Sequence, residues 1–467
     1  RKKISRHDEF IGILLPNVPG NVITIMGLIS INRIPAMLNF SSSANQVLST
    51  CQTAKVKWVV TSQSFVEKAK LESHIELLKA NDVQILYLED LKKTVGLSHK
   101  ISALIKYHRF NRYYGQDQLN NQNKPAFVLF TSGSEGSPKG VILSHLNLYT
   151  NVNQMVTRFN LLSTDKVFNP LPIFHAFGLG TGTLAPLLNG TPVFLFPNPT
   201  QYQTVCNFIY ESQSTFLFGT NTFLAGYGKM NSNTSNFASL RCVVSGGEKV
   251  KFSTRTLWYE RFGLRIFEGY GVTECSPVIA SNTHEYYRTD SVGQFYPGID
   301  YHLEPIEGIE TGKELWVKGP SVMKGYLFHE QPGTVFPPEN GYHKTGDVVN
   351  IDDDGFVFIV DRVKRFAKIG GEMVSLTAVE SIIQALYPEH HHAIISIQDE
   401  RKGESLLLVT SDDTLTKSSI IADFKENQHS ALMCPSQISH ITEMPMLGSG
   451  KVNYPALKQW LSEEHNQ

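Results

Sequence analysis

The stretch TSGSEGSPKG, Thr131–Gly140, decides how this chain is interpreted. It holds four hydroxyl side chains, three glycines and one lysine. Because glycine has no Cβ, the backbone N–H groups of such a loop can approach a polyphosphate closely. Apolar runs at 126–130 and 141–143 flank the loop and predict two buried strands. We therefore expect a nucleotide phosphate tail to bind at this loop.

Two other interpretations of the loop stay open at this point. A run of small polar residues is also typical of a flexible surface linker. A Walker P-loop requires G-x4-G-K-[ST] followed by a helix. Here Pro138 precedes Lys139, Gly140 follows it, and an apolar strand pattern comes next. A P-loop kinase or ATPase is therefore disfavoured.

Composition limits the classes of protein that need to be considered. The chain has 467 residues, of which 41% are apolar, enough for a large core and more than one domain. Its formal net charge of −1 gives no reason to expect a nucleic-acid partner. The five cysteines form no CxxC pair, which favours a reducing, cytoplasmic compartment. The sequence contains no run of about 18 uninterrupted apolar residues, so it predicts no membrane-spanning helix.

Alternating strand and helix patterns over the first 360 or so residues predict a layered α/β architecture. The strand-like runs lie at 10–15, 56–60, 83–87, 126–130, 192–196, 215–218 and 242–245. A helix is predicted with Ser144 as its N-cap. Its apolar face is formed by Leu148, Val152, Met155 and Phe159.

The pattern changes near residue 361. Apolar runs at 348–351 and 356–360 flank Asp352-Asp-Asp-Gly355, which predicts a β-hairpin with a solvated turn. A small α+β pattern follows, with Thr377 and Glu380 as a candidate capping box. We place the boundary at Asp361/Arg362, which predicts a large domain over 1–361 and a small domain over 362–467.

Two further motifs suit a nucleoside. In EGYGVTE, Glu268–Glu274, the glycines let Tyr270 present its ring to a base, while Thr273 and Glu274 supply hard oxygen ligands suited to Mg²⁺. Asp347, after Gly346, could accept both ribose hydroxyls, as acidic residues do in dinucleotide folds. The plain alternatives are a glycine-bounded turn with an ion-paired glutamate, and an ordinary turn aspartate.

The C-terminal part holds two more candidate segments. The segment DRVKRFAKIGGE carries a glycine pair, Gly370-Gly371, and a basic patch formed by Arg362, Lys364, Arg365 and Lys368. Arg362 can donate to ribose or phosphate as a fork, and the glycines permit close approach of an elongated ligand. Lys451 follows a Gly-Ser-Gly turn. Taken singly, the basic patch and the lysine are equally typical of a solvated surface.

In order and spacing these segments resemble the motifs of the adenylate-forming superfamily of acyl-CoA synthetases, adenylation domains and luciferases. The segment PIFHAFG, Pro172–Gly178, is similar to its core histidine motif, and SGGE, Ser245–Glu248, to its adenine-side loop. The resemblance implies an AMP-forming ligase. Such an enzyme uses ATP and Mg²⁺ to convert a carboxylate to an acyl-adenylate, and then forms a carbon–sulfur bond to a phosphopantetheine thiol.

The resemblance also implies roles for individual residues. The phosphates would be held by Thr131, Ser132, Gly133, Ser134, Gly136 and Lys139. The remainder of the nucleotide would be contacted by Gly246, Glu248, Glu268, Gly269, Tyr270, Gly271, Thr273, Asp347, Arg362 and Lys451. The metal ligands would be Glu274 and Thr131. The residues closest to the chemistry would be Lys451, Glu274, Thr131 and His175, of which Lys451 bridges the carboxylate and the α-phosphate. His175 would gate or line the acyl site, although a histidine among aromatic residues is also typical of a structural role.

The pantetheine path would be lined by Lys364, Gly370 and Gly371. Lys364 matches the hinge position about which the family's small C-terminal domain rotates between the two steps. Many members of the superfamily have an aspartate at that position, so the hinge departs from their pattern here.

Two peptides resemble one subgroup more closely. RVKRFAKIGGEMVSL, Arg362–Leu376, and IPAMLNFS, Ile34–Ser41, are similar to the synthetase half of bacterial bifunctional acyl-ACP synthetase/2-acylglycerophosphoethanolamine acyltransferases. This resemblance implies a fatty acid substrate, acyl carrier protein as thiol acceptor, and a role in phospholipid metabolism. A fatty acyl-CoA ligase and a catalytically silent nucleotide-binding module stay open as alternatives.

An upstream acyltransferase half is expected to be missing from this chain, which begins at Arg1 without a methionine. None of the 16 histidines has an aspartate five positions on, so the H-x4-D acyltransferase motif is not present. Such a half would place the protein at the cytoplasmic face of the inner membrane.

Overall fold

The computed structural model describes residues 9–108, 121–131, 138–231, 233–309, 311–369, 371–399, 403–447 and 452–464. The chain forms two compact units. The first comprises Arg1–Asp300 with Lys318–His343, and the second comprises Tyr301–Val317 with Lys344–Gln467. Sheets and helices occur in both units, so the predicted α/β class is confirmed.

The strands of the described residues are numbered in chain order. They are β1 Phe10–Ile13, β2 Ile34–Met37, β3 Trp58–Thr61, β4 Gln84–Tyr87, β5 Pro125–Thr131, β6 Lys139–Ser144, β7 Val167–Asn169, β8 Val193–Leu195, β9 Phe216–Gly219, β10 Cys242–Gly246, β11 Ile266–Gly271, β12 Val278–Ser281, β13 Gln294–Phe295, β14 Asp300–Glu304, β15 Lys313–Lys318, β16 Gly325–Leu327, β17 Val335–Phe336, β18 His343–Ile351, β19 Val357–Arg362, β20 Phe366–Ile369, β21 Glu372–Ser375, β22 His392–Asp399, β23 Gly403–Thr410 and β24 Gln437–His440.

The described α-helices connect these strands. They are α1 Pro19–Ile29, α2 Ala44–Thr53, α3 Gln63–Ala69, α4 Glu72–Ala80, α5 Leu88–Thr94, α6 Leu97–His108, α7 His145–Arg158, α8 Ala185–Leu188, α9 Tyr202–Ser212, α10 Asn221–Met230, α11 Phe252–Phe262, α12 Leu376–Leu386, α13 Lys417–Glu426 and α14 Tyr454–Glu464. No helix in the described ranges is long and apolar enough to cross a membrane.

Two sheets organise the first unit. One has the strand order β17-β16-β6-β5-β2-β1-β3-β4, and the other has the order β13-β12-β11-β10-β9-β7-β8. Strands β1 to β4 and β7 to β11 pair in parallel where they adjoin. Most of their side chains are buried, as expected for parallel strands covered by helices. This explains why their sequences are nearly continuous apolar runs.

The sequence predicted the helix after the phosphate loop correctly. Helix α7 begins at His145, and the Ser144 side chain accepts a hydrogen bond from the Asn147 N–H. The Asn147 side chain accepts from the Ser144 N–H in return, which completes a capping box. Leu148, Val152 and Met155 are buried on one face of this helix.

The second unit has a four-stranded sheet, β14-β15-β18-β19, and a five-stranded sheet, β21-β20-β23-β22 with β24 added to β23. Strands β18 and β19 pair antiparallel around Asp352–Gly355, so the predicted hairpin is confirmed. Because the hairpin residues contact mainly other residues of the second unit, the hairpin is part of that unit. The division into domains over 1–361 and 362–467, which concerns movement between reaction steps, stays a prediction.

The predicted capping box at Thr377 and Glu380 is wrong. Helix α12 begins two residues earlier than predicted, with Ser375 as N-cap accepting from the Ala378 N–H. The Thr377 hydroxyl instead donates to Asp361 Oδ1 at 2.7 Å. The carboxylate of Glu380 accepts from the Ile394 N–H at 2.7 Å. Both side chains make long-range contacts that spacing along the chain does not reveal.

Candidate active site

The two ends of the glycine-rich loop lie opposite each other on neighbouring strands. In the antiparallel pair β5–β6, Thr131 is in register with Lys139. The Lys139 Nζ lies 5.3 Å from the ring centroid of Phe328 and 5.8 Å from that of Tyr326. Ser132, Gly133, Ser134 and Gly136 lie outside the described residues. The structure therefore fixes the ends of the predicted phosphate loop.

Glu274 lies beside this loop end and is held in place by two contacts. It is part of a 3-10 turn, Thr273–Cys275, that follows β11. The Tyr326 hydroxyl donates to Glu274 Oε1 at 2.6 Å, and the Met323 N–H donates to the Glu274 carbonyl at 2.7 Å. Since Tyr326 also lies next to Lys139, it brings the first and second motifs together. No sequence signal pointed to Tyr326, because it belongs to no motif.

The two segments predicted to contact the adenine, SGGE and EGYG, lie side by side in the second sheet. Strands β10 and β11 are parallel neighbours, and Gly246 is in register with Gly269. SGGE and EGYG therefore leave the sheet at the same carboxyl edge, where parallel α/β sheets bind their ligands. Tyr270 is largely buried, with 9% of its surface exposed.

The glycines of these segments permit close packing. A Cβ at Gly271 would lie 2.1 Å from the Pro277 carbonyl oxygen, so no other residue fits the present backbone. A Cβ at Gly246 would lie 3.1 Å from the Phe177 ring. The core histidine segment therefore lies against the adenine-side loop.

The side chains of Glu268 and Glu248 are both engaged within the protein. Glu268 is buried and forms an ion pair with Arg255 at 2.7 Å. Burial raises the pKa of the Glu268 carboxyl, although Arg255 acts in the opposite direction. Glu248 accepts from the Thr222 N–H at 2.9 Å and from its hydroxyl at 3.1 Å, which caps helix α10. The nucleotide contacts of these two glutamates stay predictions.

His175 lies among aromatic side chains. Its ring centroid is 4.5 Å from that of Phe174, which is in turn 4.9 Å from that of Phe40. Asn17 anchors the segment by accepting from the Ile173 N–H at 2.9 Å. Phe40 belongs to the peptide Ile34–Ser41, so two segments identified separately in the sequence are in contact.

In the second unit, Asp347 and Arg362 face each other across the hairpin. They are in register in β18 and β19, and Arg362 Nε lies 2.8 Å from Asp347 Oδ1. The Asp347 side chain is only 3% exposed, whereas that of Arg362 is 62% exposed. The buried carboxylate of Asp347 is thus held beside the exposed guanidinium of Arg362. Together they offer a ligand a hydrogen-bond acceptor and hydrogen-bond donors at one place.

Asp361 joins the end of the hairpin to the end of β21 and the first turn of α12. Its carboxylate accepts from the hydroxyls of Ser375 and Thr377 and from the Arg362 N–H, the last at 2.7 Å. Asp361 is buried, with 4% exposure. The sequence identified this residue only as a boundary.

The predicted basic patch needs one correction. Arg365 is not part of an open surface, because it forms an ion pair with Glu380 at 2.7 Å and its side chain is 17% exposed. Its guanidinium carbon also lies 4.3 Å from the ring centroid of Tyr454. The exposed cations of the patch are Arg362, Lys364 and Lys368.

Two of the predicted residues in this unit lie outside the described residues, namely Lys451 and Gly370. The ends of the Lys451 turn are nevertheless fixed, because Met446 and Val452 form an antiparallel bridge and the Asn453 N–H donates to the Pro445 carbonyl at 2.8 Å. Gly371 has a φ of +96°, which favours glycine at this turn between β20 and β21.

Comparison with solved structures defines the class of fold. The ATP-bound structure of MatB from Rhodopseudomonas palustris aligns with a TM-score of 0.80 over 97% of this chain and 88% of that chain, at 22% identity. The Bacillus subtilis o-succinylbenzoate CoA synthetase, in complex with its acyl-adenylate intermediate, aligns with a TM-score of 0.78 over 96% and 88%, at 21% identity. The fold is that of the adenylate-forming enzymes.

The sequence comparison shows the family. The AMP-binding enzyme family matches residues 1–327, and the chain belongs to that family. A long-chain-fatty-acid–CoA ligase of Yersinia pestis is 29% identical over 79% of this chain and 67% of its own length. The ligase of the same name from Haemophilus influenzae is 26% identical over 96% of this chain and 85% of its own length. The expectation of an AMP-forming ligase is confirmed.

Proposed function

We propose that this chain activates a fatty acid with ATP and transfers the acyl group to a phosphopantetheine thiol, with acyl carrier protein as the leading acceptor. In the first step the carboxylate attacks the α-phosphorus, the bond from that phosphorus to the α,β-bridging oxygen breaks, and acyl-AMP and pyrophosphate form. In the second step the thiol attacks the acyl carbon, and AMP leaves.

The observation that carries the proposal is the meeting of motifs in the first unit. Lys139 at the loop end, Tyr326 and Glu274 form one continuous group. The parallel strands that end in Gly246 and Gly269 bring the two adenine-side segments together at one edge of the second sheet. The substrate class is supported by relatives named long-chain-fatty-acid–CoA ligases.

For the first step, we assign positioning and charge stabilisation to the phosphate loop and the residues beside it. Thr131 and Lys139 would contact the phosphates, and Tyr270 the adenine. Glu274 and the Thr131 hydroxyl would hold Mg²⁺, since carboxylate and hydroxyl oxygens with phosphate oxygens are the donors that this cation prefers. When bound, the cation would neutralise charge that develops on the phosphates.

The ribose and the reacting carboxylate are assigned to residues of the second unit. Asp347 would accept from the ribose hydroxyls, with Arg362 donating beside it. Lys451 would stabilise the charge shared by the carboxylate and the α-phosphate in the transition state. The loss of one such contact costs about 3 kcal/mol, or roughly a hundredfold in rate.

For the second step, the candidate acceptors are acyl carrier protein and CoA. The exposed cations Arg362, Lys364 and Lys368 suit both an acidic carrier protein and the phosphates of CoA. The names of the relatives favour CoA as the second candidate. Lys364, Gly370 and Gly371 are assigned to the path of the pantetheine arm in either case.

The acceptor is tested by single-turnover discharge of acyl-AMP prepared on the protein from fatty acids of graded length. Holo-carrier protein is expected to discharge it faster than CoA, and Lys368→Glu is expected to slow discharge by the carrier protein selectively. Lys425→Glu, at an exposed lysine on α13, serves as the charge-matched control. Rapid discharge by CoA with no response to the carrier protein would establish the CoA ligase instead.

A further inference from the structure

Helix α6, Leu97–His108, presents an apolar face to solvent. Leu97, Ile101, Leu104 and Ile105 follow the i, i+4, i+7, i+8 spacing of a single helix face. Their exposed fractions are 73%, 50%, 58% and 48%. Residues 92–105 all fall in the exposed class, so none of these side chains is buried in a core.

Such a helix needs a partner for physical reasons. Isolated helices of this length are marginal in water, and most of their stability in proteins comes from burying an apolar face. Contiguous exposed apolar patches are also uncommon on monomeric proteins, and where they occur they mark interaction sites. The face therefore suits a surface that is itself apolar and that can accept a strip about 12 Å long, the axial distance from Leu97 to Ile105.

The charge around the face identifies that surface. The residues from Leu91 to Ile105 include three lysines, Lys92, Lys93 and Lys100, and no acidic residue. On the helix, Lys100 borders one side of the apolar strip, and Ser98 and Ser102 border the other.

The acidic residues that precede this stretch are already engaged. Glu89 accepts hydrogen bonds from Ser62 and from the Gln63 N–H. Asp90 forms an ion pair with Lys93 at 3.2 Å. Because Asp90 compensates the charge of Lys93, Lys92 and Lys100 are the lysines that make the border of the apolar strip basic.

We propose that α6 and the end of α5 dock this protein onto an anionic lipid surface, with the apolar strip in the acyl-chain boundary and the lysines at the headgroups. This combination of an apolar face and a basic border is the pattern of interfacial amphipathic helices. Anionic headgroups add attraction for each lysine near the surface. The proposal does not depend on the proposed reaction.

The test is flotation of the full chain with vesicles of phosphatidylcholine containing phosphatidylglycerol, compared with vesicles of phosphatidylcholine alone. We expect binding to the anionic vesicles that weakens in high salt. The double variant Ile101→Ser/Leu104→Ser is expected to lose roughly tenfold or more in vesicle affinity. The matched control is Ile23→Ser on α1, which removes another exposed isoleucine, 71% exposed, and should bind as the parent does.

Three results would overturn the proposal. These are no flotation of the parent chain with anionic vesicles, an equal loss in the Ile23→Ser control, and a change of the double variant from dimer to monomer with vesicle binding unaltered. The last would assign the face to a second copy of this chain. Circular dichroism and thermal unfolding of the double variant verify that it is folded, and Lys100→Glu provides an independent variant whose vesicle binding should fall without loss of apolar surface.

Discussion

Tyr326 donates its hydroxyl to Oε1 of Glu274 across 2.6 Å. Burial and the neighbouring carboxylate raise the pKa of Tyr326, so the hydroxyl stays protonated and acts as the donor. The bond fixes the orientation of the carboxylate that we assign to Mg²⁺. Tyr326 is therefore a positioning residue, because it acts through Glu274.

The first prediction concerns Tyr326→Phe, which removes this donor and keeps the ring. A hydrogen bond to a charged group contributes about 1.5–3 kcal/mol, so we expect the Mg²⁺ concentration for half-maximal activity to rise roughly tenfold. It is measured by titrating Mg²⁺ in a pyrophosphate-exchange assay. Tyr342→Phe is the control, since it removes a tyrosine–carboxylate bond of 2.9 Å to Asp300. An unchanged Mg²⁺ dependence in Tyr326→Phe would refute the positioning role.

Gly271→Ala is predicted to be severely destabilising. The new Cβ would lie 2.1 Å from the Pro277 carbonyl oxygen, and backbone atoms cannot move aside cheaply. We expect a loss of several kcal/mol in the free energy of unfolding, measured by urea denaturation. Gly269→Ala is the control in the same strand, because its nearest atom would be at 3.6 Å. Equal stability of the two variants would show that the strand relaxes around position 271.

Asp347→Asn is predicted to weaken binding of AMP and ATP alike. Each hydrogen bond from ribose to a carboxylate contributes about 1.5–3 kcal/mol, so a loss of roughly 10- to 100-fold in affinity is expected. Calorimetric titration with AMP measures it. Asp353→Asn, at the exposed tip of the same hairpin, should bind AMP as the parent does. If Asp347→Asn retains full affinity, the ribose assignment is wrong.

The fourth prediction concerns acid sensitivity. Burial of Asp165 acts to raise the pKa of its carboxyl. Hydrogen bonds from Arg241, the Leu162 N–H and Thr215 act in the opposite direction and outweigh burial, so the pKa in the folded protein lies below its ordinary value. A lowered native pKa stabilises the fold above the unfolded value of about 4, and this stabilisation is lost as pH falls through the native value. The free energy of unfolding of Asp165→Asn should therefore depend less on pH below about 5 than that of the parent. Urea unfolding between pH 3 and 7 measures the difference, with the exposed Glu76→Gln as control. Parallel curves for Asp165→Asn and the parent would contradict the prediction.

Local signals in the sequence were sufficient for much of the fold. The apolar runs predicted strands β5 and β6, and Ser144 predicted the start of α7, because strand burial and helix capping depend on neighbours in sequence. The order of motifs indicated the family. Strand burial and helix capping are properties that a short window of residues determines, whereas the family was indicated by motifs spread from Thr131 to Lys451.

The errors came from contacts between distant residues. Thr377 looked like a helix cap, but Asp361 takes its hydroxyl, and Ser375 is the cap. Arg365 looked like part of a surface patch, but Glu380 and Tyr454 enclose it. No periodicity or spacing encodes such partners, since they are brought together only by the tertiary fold.

The central claim is that this chain forms an acyl-adenylate from a fatty acid. Its most direct test is fatty-acid-dependent exchange of labelled pyrophosphate into ATP with no thiol present, in the parent chain and in Lys451→Ala. We predict exchange in the parent that requires a fatty acid, and a loss of roughly a hundredfold in Lys451→Ala, which should still convert preformed acyl-AMP to thioester. Lys458→Ala, at an exposed lysine nearby in the sequence, should exchange normally. No fatty-acid-dependent exchange by the parent would contradict the account and leave a nucleotide-binding module without turnover.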